Sequence, residues 1–571
     1  MDRSMIRWSV PIPMRDGIRL RGDLWLPGSA EPAPVIIYRT PYGRAGMDGY
    51  EALRPVDAAR AGYAVLVQDT RGCFESEGEA RPAMWDQEGR DTYDTVEWAA
   101  GQPWCDGNAG MAGASYPGMV QWAGAGLRPP HLRAIAPMMA TDGPLDRAET
   151  GGAIRLDHYL GWAALMALSW MRREERHGRE IDPESLARAA ALLDDTSPRT
   201  ALFDLRAALR IDGSPYDLTR HVLVDSLDTP VFPLPDISIP TLLVAGFFDV
   251  FSAATIRLHQ RMTELHGEGD RHRLIIGPWA HAGGLPNTQG TLNFGVTSSG
   301  VASGLPAKHL AFFDHYLRGR PGERETRVEY FLMGARRWRT ATSWPPPGTT
   351  RRRLYLHGRG DARDEVSGRL AENPAPAGDP PENYGYDPHD PAPSHGGRLL
   401  ATGDLVGGPL DQHHLLRRAD VLAYTTAPLG GALDVIGPVE LRLRVASSAP
   451  DTDFAAKLVD VTPDGRWILV CDGLLRARYR AGFEREIPLR PGEPTALTVD
   501  LGHTAWRFRA GHRLGVLITS SSFPHLDRNT NTGNAIGTDD RAEIARQTVF
   551  HAGDLQSYLR FSVDGQAPST V

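Results

Sequence analysis

The spacing of apolar and polar residues in the first 140 residues predicts strands that alternate with helices. In IRLRGDLWLP, Ile18, Leu20 and Leu24 alternate with charged residues, a pattern typical of a strand with one buried face. The runs PVIIYRT and YAVLVQDTRG are mostly apolar, which indicates strands buried on both faces. A helical pattern follows in WDQEGRDTYDTVEWAAGQ. Alternating strands and helices predict a parallel sheet with crossover helices.

The pattern changes near residue 145. From there to about residue 235 no strand is evident, and DHYLGWAALMALSWMRREERHG and PESLARAAALLDD have apolar residues at helical spacing. Apolar runs typical of buried strands return in IPTLLVAGFFDVF and HRLIIGPWAH. We therefore expect a helical segment that interrupts a single sheet.

Beyond residue 350 the pattern changes again. The stretch 371–397 is rich in Pro, Gly, Asp and Asn and predicts an irregular loop. Short alternating strands without helices follow, as in VELRLRV, and predict a sandwich or jelly roll. The predicted fold is α/β, with the first part of an α/β core at 1–144, a helical insertion at 145–235, the second part of the core at 236–350 and a β-domain at 351–571.

Composition limits the partners and the location. The 571 residues have a net charge of −8, which argues against nucleic acid or an anionic membrane as the main partner. The N-terminus lacks a long apolar segment, and no run of about 18 apolar residues predicts a transmembrane helix. Cys73, Cys105 and Cys471 have no spacing typical of a metal or redox site. We expect a cytoplasmic protein, and the sequence leaves open whether it forms a homodimer.

The stretch GMAGASYPG, residues 110–118, predicts a turn that presents a nucleophile. Ser115 follows a strand of small residues and precedes a helix, as in the G-x-S-x-G turn of α/β-hydrolases. Gly113 fits that pattern, but the second glycine is displaced by one position to Gly118. The backbone N–H of Tyr116 would contribute to an oxyanion hole. The alternative is a glycine-rich loop whose serine caps a helix.

Two further residues complete a triad in the order expected for this fold class, in which the acid and then the histidine follow the serine. Asp249 ends the run TLLVAGFFD, and His281 ends the run RLIIGPWAH. Both come where a buried strand ends, and ligands of open parallel sheets bind at these carboxyl ends. His281 would accept the Ser115 proton, and Asp249 would orient the imidazole.

A second oxyanion donor is predicted after an early strand. In VIIYRTPYGR the hydroxyl of Tyr42 would serve if it points at the developing oxyanion, and a packing role is the alternative. The stretch QDTRGCFESEG carries Asp69, Arg71, Glu75 and Glu77. These charged residues indicate structural salt bridges rather than a metal site or an acid–base site. No zinc, phosphate-loop or dinucleotide motif is present in usable context, so we expect neither a metal nor a cofactor.

These motifs together resemble the bacterial cocaine esterase family, which is related to X-Pro dipeptidyl peptidases and α-amino-acid ester hydrolases. The similarity covers YRTPYGR, VQDTRGCFESEGE, WCDGNAGMAGASYPG, GFFD and GPWAH, and continues in YDPHDPAPSHGG, DTDFAAKLVDVTPDGR and SSSFPHLDRNTNTG. It implies an α/β-hydrolase core, an inserted helical cap and a C-terminal jelly roll that meet at the active site. The family elbow is G-x-S-Y-x-G, which GASYPG fits. The resemblance also implies a triad of Ser115, Asp249 and His281, with Tyr42 and the Tyr116 N–H as oxyanion donors.

The resemblance implies an acyl pocket with aromatic walls. Trp162 and Phe251 match positions that hold a benzoyl ring, with core packing as the alternative for each. Leu400 matches another such position, but Leu400-Ala401 replaces a bulkier Leu-Phe pair, and RAETGGAI lacks a tryptophan of the cap. We therefore expect a serine carboxylesterase for a small ester with an aromatic or bulky acyl group, and not for cocaine itself.

Two other functions remain open. An X-Pro dipeptidyl aminopeptidase or an α-amino-acid ester hydrolase or acylase would need carboxylates that bind a substrate amine, and the sequence does not locate them. From a different class, the chain would be a non-catalytic carbohydrate-binding or scaffold protein in which the jelly roll is the functional part.

Overall fold

The fold is taken from a computed structural model, which describes residues 5–29, 31–49, 51–81, 84–141, 147–217, 219, 232–267, 271–281, 284–321, 327–358, 366–400 and 405–565. The predicted boundary between residues 144 and 145, part of the predicted helical insertion, and Ala401 lie outside the described residues.

A ten-stranded sheet contains all the strands described before residue 342 except one short hairpin. Its spatial order is β1-β2-β4-β3-β5-β6-β7-β8-β11-β12. The strands from β4 to β11 in this order run parallel to one another, whereas β2 is antiparallel to both β1 and β4, and β12 is antiparallel to β11. The strands are β1 (Met5–Pro13), β2 (Arg19–Leu26), β3 (Ala33–Thr40), β4 (Ala64–Asp69), β5 (Cys105–Ala114), β6 (Leu132–Met138), β7 (Thr241–Phe248), β8 (His272–Ala280), β11 (Val328–Leu332) and β12 (Arg337–Ala341), with the separate hairpin of β9 (Thr288–Gln289) and β10 (Leu292–Asn293).

The parallel strands are buried on both faces, as their apolar runs predict. Every residue of β3, β4 and β7 is buried, since helices cover this sheet. The described helices are α1 (Pro55–Arg60), α2 (Trp85–Ala100), α3 (Tyr116–Ala125), α4 (Arg147–Thr150), α5 (Leu156–Arg176), α6 (Pro183–Asp194), α7 (Ser197–Thr200), α8 (Leu205–Leu209), α9 (Ser252–His266) and α10 (Leu305–Arg318).

The helices α4 to α8 interrupt the sheet in sequence but not in space. β6 and β7 are hydrogen-bonded neighbours, with Ile135 opposite Thr241, although these helices lie between them along the chain. The prediction that a helical segment interrupts one sheet is therefore confirmed. A separate hydrophobic cluster, which includes Leu160, Met166 and Leu205, holds the inserted helices together.

An eleven-stranded, almost wholly antiparallel sheet follows. Its order is β15-β22-β17-β23-β13-β14-β16-β21-β18-β19, with β20 also paired to β17. Its strands are β13 (Thr349–Gly358), β14 (Gly368–Ala371), β15 (Glu382–Tyr386), β16 (Leu422–Thr425), β17 (Leu433–Ser447), β18 (Asp453–Val461), β19 (Trp467–Arg476), β20 (Thr495–Phe508), β21 (Arg513–Thr519), β22 (Ala545–Val549) and β23 (Tyr558–Asp564).

Of two sequence-based predictions for this sheet, one is confirmed and one differs from the structure. The alternation of VELRLRV is confirmed within β17, where Val439 and Leu441 are buried and Glu440 and Arg442 are half-buried. The stretch 371–397, expected to be an irregular loop, contains β15. The aromatic rings of Tyr384 and Tyr386 point to the buried face of this strand, and their burial outweighs the surrounding Pro and Gly residues.

The two sheets share one hydrophobic core. Phe247 packs on Trp344 at 5.9 Å between ring centroids, and Phe294 packs on Trp506 at 6.3 Å. The backbone of Met333 exchanges hydrogen bonds with Ala505 and Arg507 of β20, each of 2.9 Å. The three cysteines are buried and free. No helix in the described part of the chain is long and apolar enough to cross a membrane.

Candidate active site

Ser115 occupies a sharp turn between β5 and α3. Its φ of 62° and ψ of −124° are unusual for a residue with a side chain and cost about 1–3 kcal/mol. Hydrogen bonds hold the turn, because Ser115 N donates to Met138 O at 2.9 Å and Ser115 O accepts from the N–H groups of Gly118 and Met119. The Ser115 side chain makes no capping hydrogen bond to the helix. Helix capping therefore does not explain this serine.

The two glycines of GASYPG are required by close contacts across the turn. A Cβ at Gly113 would lie 2.5 Å from the Pro117 Cβ, and the φ of Gly113 is 146°. A Cβ at Gly118 would lie 2.7 Å from the Ala140 Cβ and 3.2 Å from two backbone oxygens. The second glycine follows the serine by three positions because α3 approaches the end of β6 at that residue.

His281 and Asp249 follow neighbouring strands and form a close pair. His281 Nδ1 lies 2.5 Å from Asp249 Oδ2, and both residues are buried. The other carboxylate oxygen, Asp249 Oδ1, accepts the N–H of Phe251 at 2.7 Å. With Nδ1 engaged by a carboxylate, the imidazole presents Nε2 as its free basic atom, as a general base requires.

Tyr42 contacts both the elbow and the inserted helices. Its hydroxyl accepts a hydrogen bond from Trp162 Nε1 at 3.2 Å and interacts with the Ser115 side chain. Burial raises the pKa of Tyr42 to about 12, opposed by these two polar neighbours. Since the oxygen already accepts from Trp162, the hydroxyl hydrogen is available for donation toward Ser115.

Tyr116 is the first residue of α3, so its N–H has no acceptor within the helix. This N–H is at the positive end of the helix and adjacent to Ser115. The Tyr116 side chain points away to donate to Glu88 Oε1 at 2.9 Å, and its ring packs edge-on against Tyr42 at 6.5 Å. The Tyr116 N–H and the Tyr42 hydroxyl are therefore both next to Ser115.

The residues matched to an acyl pocket lie around the same centre. Phe251 is buried, with its ring edge-on to His281 at 5.5 Å. Leu400, in the segment between β15 and β16, forms a backbone bridge with His281. Trp162 is half-buried on α5 and stacks edge-on with Tyr216 at 5.8 Å. Trp162 therefore has a polar contact with Tyr42 in addition to the packing role considered from the sequence.

Comparison with known proteins identifies the family. A family model described as X-Pro dipeptidyl-peptidase (S15 family) matches residues 16–283, and one described as X-Pro dipeptidyl-peptidase C-terminal non-catalytic domain matches residues 322–560. The cocaine esterase of Rhodococcus sp. (strain MB1 Bresler) is 37% identical over 552 residues, which cover 94% of each chain. The chain belongs to the bacterial cocaine esterase family. It is a serine hydrolase.

Solved structures agree with the fold of a cocaine esterase family member. An aminopeptidase from a marine sediment Thaumarchaeota archaeon superposes with a TM-score of 0.79 at 23% identity, covering 98% of this chain and 97% of the other. An α-amino acid ester hydrolase superposes with a TM-score of 0.75 at 23% identity and the same coverage. These neighbours show the α/β fold with a C-terminal β-domain.

The acidic motif of this cocaine esterase family member is engaged in ion pairs. Arg44 bridges Asp69 and Glu75, while Arg71 pairs with Asp91 at 2.7 Å. No cluster of three or more potential metal ligands occurs among the residues that the structure describes. The salt-bridge explanation of QDTRGCFESEG accounts for these contacts.

Sequence analysis of this family member missed polar residues at the edge of the site. His158 packs edge-on against Phe251, and the Arg155 guanidinium lies over the same ring, 5.5 Å from its centroid. Glu51 Oε1 accepts the N–H of Ala114, the residue before Ser115, at 3.2 Å. For His158 a signal was available, since it precedes Trp162 by one helical turn. Glu51 carries no such signal, because its contact joins residues far apart in the chain.

Proposed function

We propose that the protein is a carboxylesterase that hydrolyses a small ester, with an aromatic or bulky acyl group, through an acyl-enzyme on Ser115. The observation that carries the proposal is the buried His281–Asp249 pair, 2.5 Å apart, at the same sheet edge as the strained Ser115 turn. A serine that only caps a helix would not need a strained turn, and a histidine that only packs in the core would not need a buried carboxylate partner. Trp162, Phe251 and Leu400 would form the walls of the acyl pocket.

The reaction has two steps in this proposal. Ser115 Oγ attacks the ester carbonyl carbon while His281 takes its proton, and the tetrahedral intermediate then releases the alcohol, which receives that proton. Water enters, loses a proton to His281 and attacks the acyl-enzyme, so that the acid leaves and Ser115 regains its proton. Asp249 stabilises the imidazolium form, and the Tyr42 hydroxyl with the Tyr116 N–H stabilises the oxyanion.

The same proposal assigns a role to each part of the chain. The ten-stranded sheet would be an α/β-hydrolase core, the helices α4 to α8 a cap, and the eleven-stranded sheet a jelly roll that completes the pocket, with domain limits near 145, 235 and 350. We further propose that the protein works in the cytoplasm. The protein could form a homodimer, and gel filtration would measure its oligomeric state.

An aminopeptidase or amino-acid ester hydrolase would need a carboxylate free to bind a substrate ammonium group. Glu51 accepts the Ala114 N–H, and Glu149 Oε1 accepts the N–H groups of Ala253 and Ala254. The Arg155 guanidinium, 3.4 Å from Glu149 Oε2, would repel a substrate ammonium group there, which favours the esterase over the amine-dependent alternative.

The test compares 4-nitrophenyl benzoate with Gly-Pro-4-nitroanilide in the wild type, in Ser115→Ala and in Ser252→Ala. Ser252 is a matched control, because it is buried at the start of α9 and its hydroxyl has no hydrogen-bond partner in the described structure. We expect fast ester cleavage that Ser115→Ala abolishes and Ser252→Ala retains, with the anilide unreacted. Labelling by a fluorophosphonate, mapped to Ser115, would exclude a non-catalytic scaffold.

Each other outcome has a definite meaning. Anilide cleavage that depends on Ser115 would move the protein to the peptidase branch. Full ester hydrolysis in Ser115→Ala would contradict the proposal altogether.

A further inference from the structure

The first turn of α9 (Ser252–His266) is connected directly to the acid of the proposed triad. An α-helix begins with four backbone N–H groups that have no partner within the helix. In α9 Asp249 satisfies two of them. Its Oδ1 accepts the N–H of Phe251 at 2.7 Å, and its backbone oxygen accepts the backbone N–H of Ser252 at 3.0 Å. The direction of the Asp249 carboxylate therefore depends on where this turn lies.

The other two N–H groups bind a side chain from a distant part of the chain. Glu149, in the short helix α4, accepts the N–H of Ala253 at 3.0 Å and that of Ala254 at 3.3 Å, both with Oε1. Phe251, the residue before the helix, makes no side-chain capping hydrogen bond. Glu149 thus supplies the cap that the local sequence of α9 lacks.

Contacts on both sides of Glu149 fix its position. Its side chain is buried, and its second oxygen, Oε2, lies 3.4 Å from the buried guanidinium of Arg155. The backbone just after α4 packs closely on β19, since Arg476 N donates to Gly151 O at 2.8 Å and a Cβ at Gly151 would lie 1.7 Å from Leu474 O. The cap of α9 is therefore held by the inserted helices and by the C-terminal sheet.

We propose that Glu149 is a positioning residue that fixes the first turn of α9 and, with it, the direction of the Asp249 carboxylate toward His281. The inference rests on the proposed esterase function, in which Asp249 orients the imidazole. It gives the inserted helices a role in the geometry of the triad, in addition to the walls of the acyl pocket. Displacement of a reacting group by about 1 Å can lower the rate by about a hundredfold.

Two substitutions of Glu149 separate its reach from its charge. Glu149→Gln keeps an acceptor oxygen at the same distance from the backbone and loses the charge. Glu149→Asp keeps the charge but is shorter by one methylene group, so its oxygens no longer reach the Ala253 and Ala254 N–H groups. Burial raises the pKa of Glu149, so the charge of this carboxyl is unfavourable while its acceptor oxygen is used.

Kinetics on 4-nitrophenyl benzoate tests the proposal. We expect Glu149→Asp and Glu149→Ala to lower kcat by about 10–100-fold while KM stays within about twofold of the wild type. Glu149→Gln should stay within about threefold of the wild-type kcat, since amide and carboxylate oxygens cap helices about equally well. Each kcat is expressed per serine titrated to completion with a fluorophosphonate, so that a loss of folded protein does not lower it.

A double variant shows whether Glu149 acts through the acid. When Asp249→Asn has already removed the carboxylate, adding Glu149→Asp should lower the rate by no more than about twofold. Because the residual activity is small, this rate is measured as the release of 4-nitrophenol in a single turnover with enzyme in excess. Asp182→Ala is the matched control and should keep the wild-type kcat, because it removes a carboxylate cap from α6, where Asp182 accepts the N–H groups of Glu184 and Ser185.

The results that would overturn the inference differ from those that would overturn the proposed function. A wild-type kcat in Glu149→Asp, or the full loss of rate on top of Asp249→Asn, would show that Glu149 does not act through Asp249. A raised KM at unchanged kcat would assign Glu149 to the acyl pocket instead. Each of these leaves Ser115-dependent ester hydrolysis intact, whereas its absence in the wild type would remove the proposed function as well. If Glu149→Ala does not fold, the comparison of Glu149→Asp with Glu149→Gln still decides the question.

Discussion

The polar contacts of Tyr42 indicate whether Trp162 orients the Tyr42 hydroxyl or forms a wall of the acyl pocket. The Tyr42 hydroxyl receives the Trp162 N–H at 3.2 Å, so its own hydrogen is directed elsewhere, and the Ser115 side chain is the polar neighbour on that side. In the proposed reaction, Trp162 would therefore act on the oxyanion through Tyr42. The sequence suggested Trp162 only as a wall of the acyl pocket, because a motif match gives a position and not the direction of an indole N–H.

We predict that Tyr42→Phe lowers kcat by about a hundredfold, since an oxyanion donor is lost. Trp162→Phe keeps an aromatic ring but loses the N–H, and should lower kcat by about tenfold with little change in KM. The double variant should be no slower than Tyr42→Phe alone, because Trp162 acts through Tyr42. Steady-state kinetics on 4-nitrophenyl benzoate measures all three.

Trp170→Phe, on the same helix but two turns further along, is the control and should behave as the wild type. A Trp162→Phe variant that raises KM at unchanged kcat would instead assign Trp162 to the acyl pocket.

The glycines of the elbow give a second prediction. Gly118→Ala would place a Cβ 2.7 Å from that of Ala140, and overpacking of this kind costs about 1–3 kcal/mol. We expect a lower melting temperature and lower soluble yield. Adding Ala140→Gly removes the contacting atom and should recover part of the loss.

Gly385→Ala is the matched control, because a Cβ there would meet nothing within 4 Å. Gly118→Ala with the melting temperature of the wild type would show that α3 can move away from β6, against the close packing described here.

The secondary structure could be predicted well where burial alone determines it. Apolar runs such as TLLVAGFF became strands buried on both faces, and the helical spacing of residues 157–178 became α5 (Leu156–Arg176). The positions of Ser115, Asp249 and His281 directly after buried strands also followed from the sequence. Contacts between distant segments could not be predicted this way, because the spacing of residues along the chain does not determine which side chains meet across the sheet.

Glu51 is the clearest example of such a distant contact. The pairing of β3 with β5 ends at Ile37 and Met111, and beyond it Glu51 Oε1 accepts the N–H of Ala114. Burial raises the pKa of Glu51 to about 7, opposed by this hydrogen bond. A side chain that is remote in sequence thus completes the strand that leads to Ser115.

The raised pKa predicts a pH dependence of stability. Between the usual pKa of about 4.5 and about 7, folded Glu51 retains a proton that the unfolded chain has released. Its contribution therefore favours folding at low pH and is lost as the pH rises through this window, by at most about 3 kcal/mol. Glu51→Gln cannot lose a proton, so its melting temperature relative to the wild type should rise from pH 4.5 to 7 and then level off.

Glu264→Gln, an exposed position on α9, is the control and should give a flat difference over the same pH range. A flat difference for Glu51→Gln as well would show that Glu51 ionises in the folded protein with the same pKa as in the unfolded chain.

The C-terminal region helps to build the candidate site as well as the core. The chain leading into α5 is held by the segment between β21 and β22, because Ile154 N donates to Asp527 Oδ1 at 2.6 Å and Leu156 N donates to His525 O at 3.0 Å. Asp527 is itself fixed by the buried Arg476 at 3.1 Å. The position of α5, and with it the direction of His158 and Trp162, therefore depends on residues 525–527 and on Arg476 at the end of β19.

This dependence predicts the result of removing residues 351–571. The truncation would expose Phe294 and Met333, which now contact β20, and would take away Leu400 beside His281. Large exposed apolar patches cause association, so we expect insoluble protein on expression, with the full-length chain soluble from the same vector. Any soluble fraction should lack esterase activity, because the start of α5 has lost its hydrogen bonds to residues 525–527. A truncated chain that is soluble and fully active would show that the hydrolase part folds and positions α5 unaided, and the second sheet would then need a separate role.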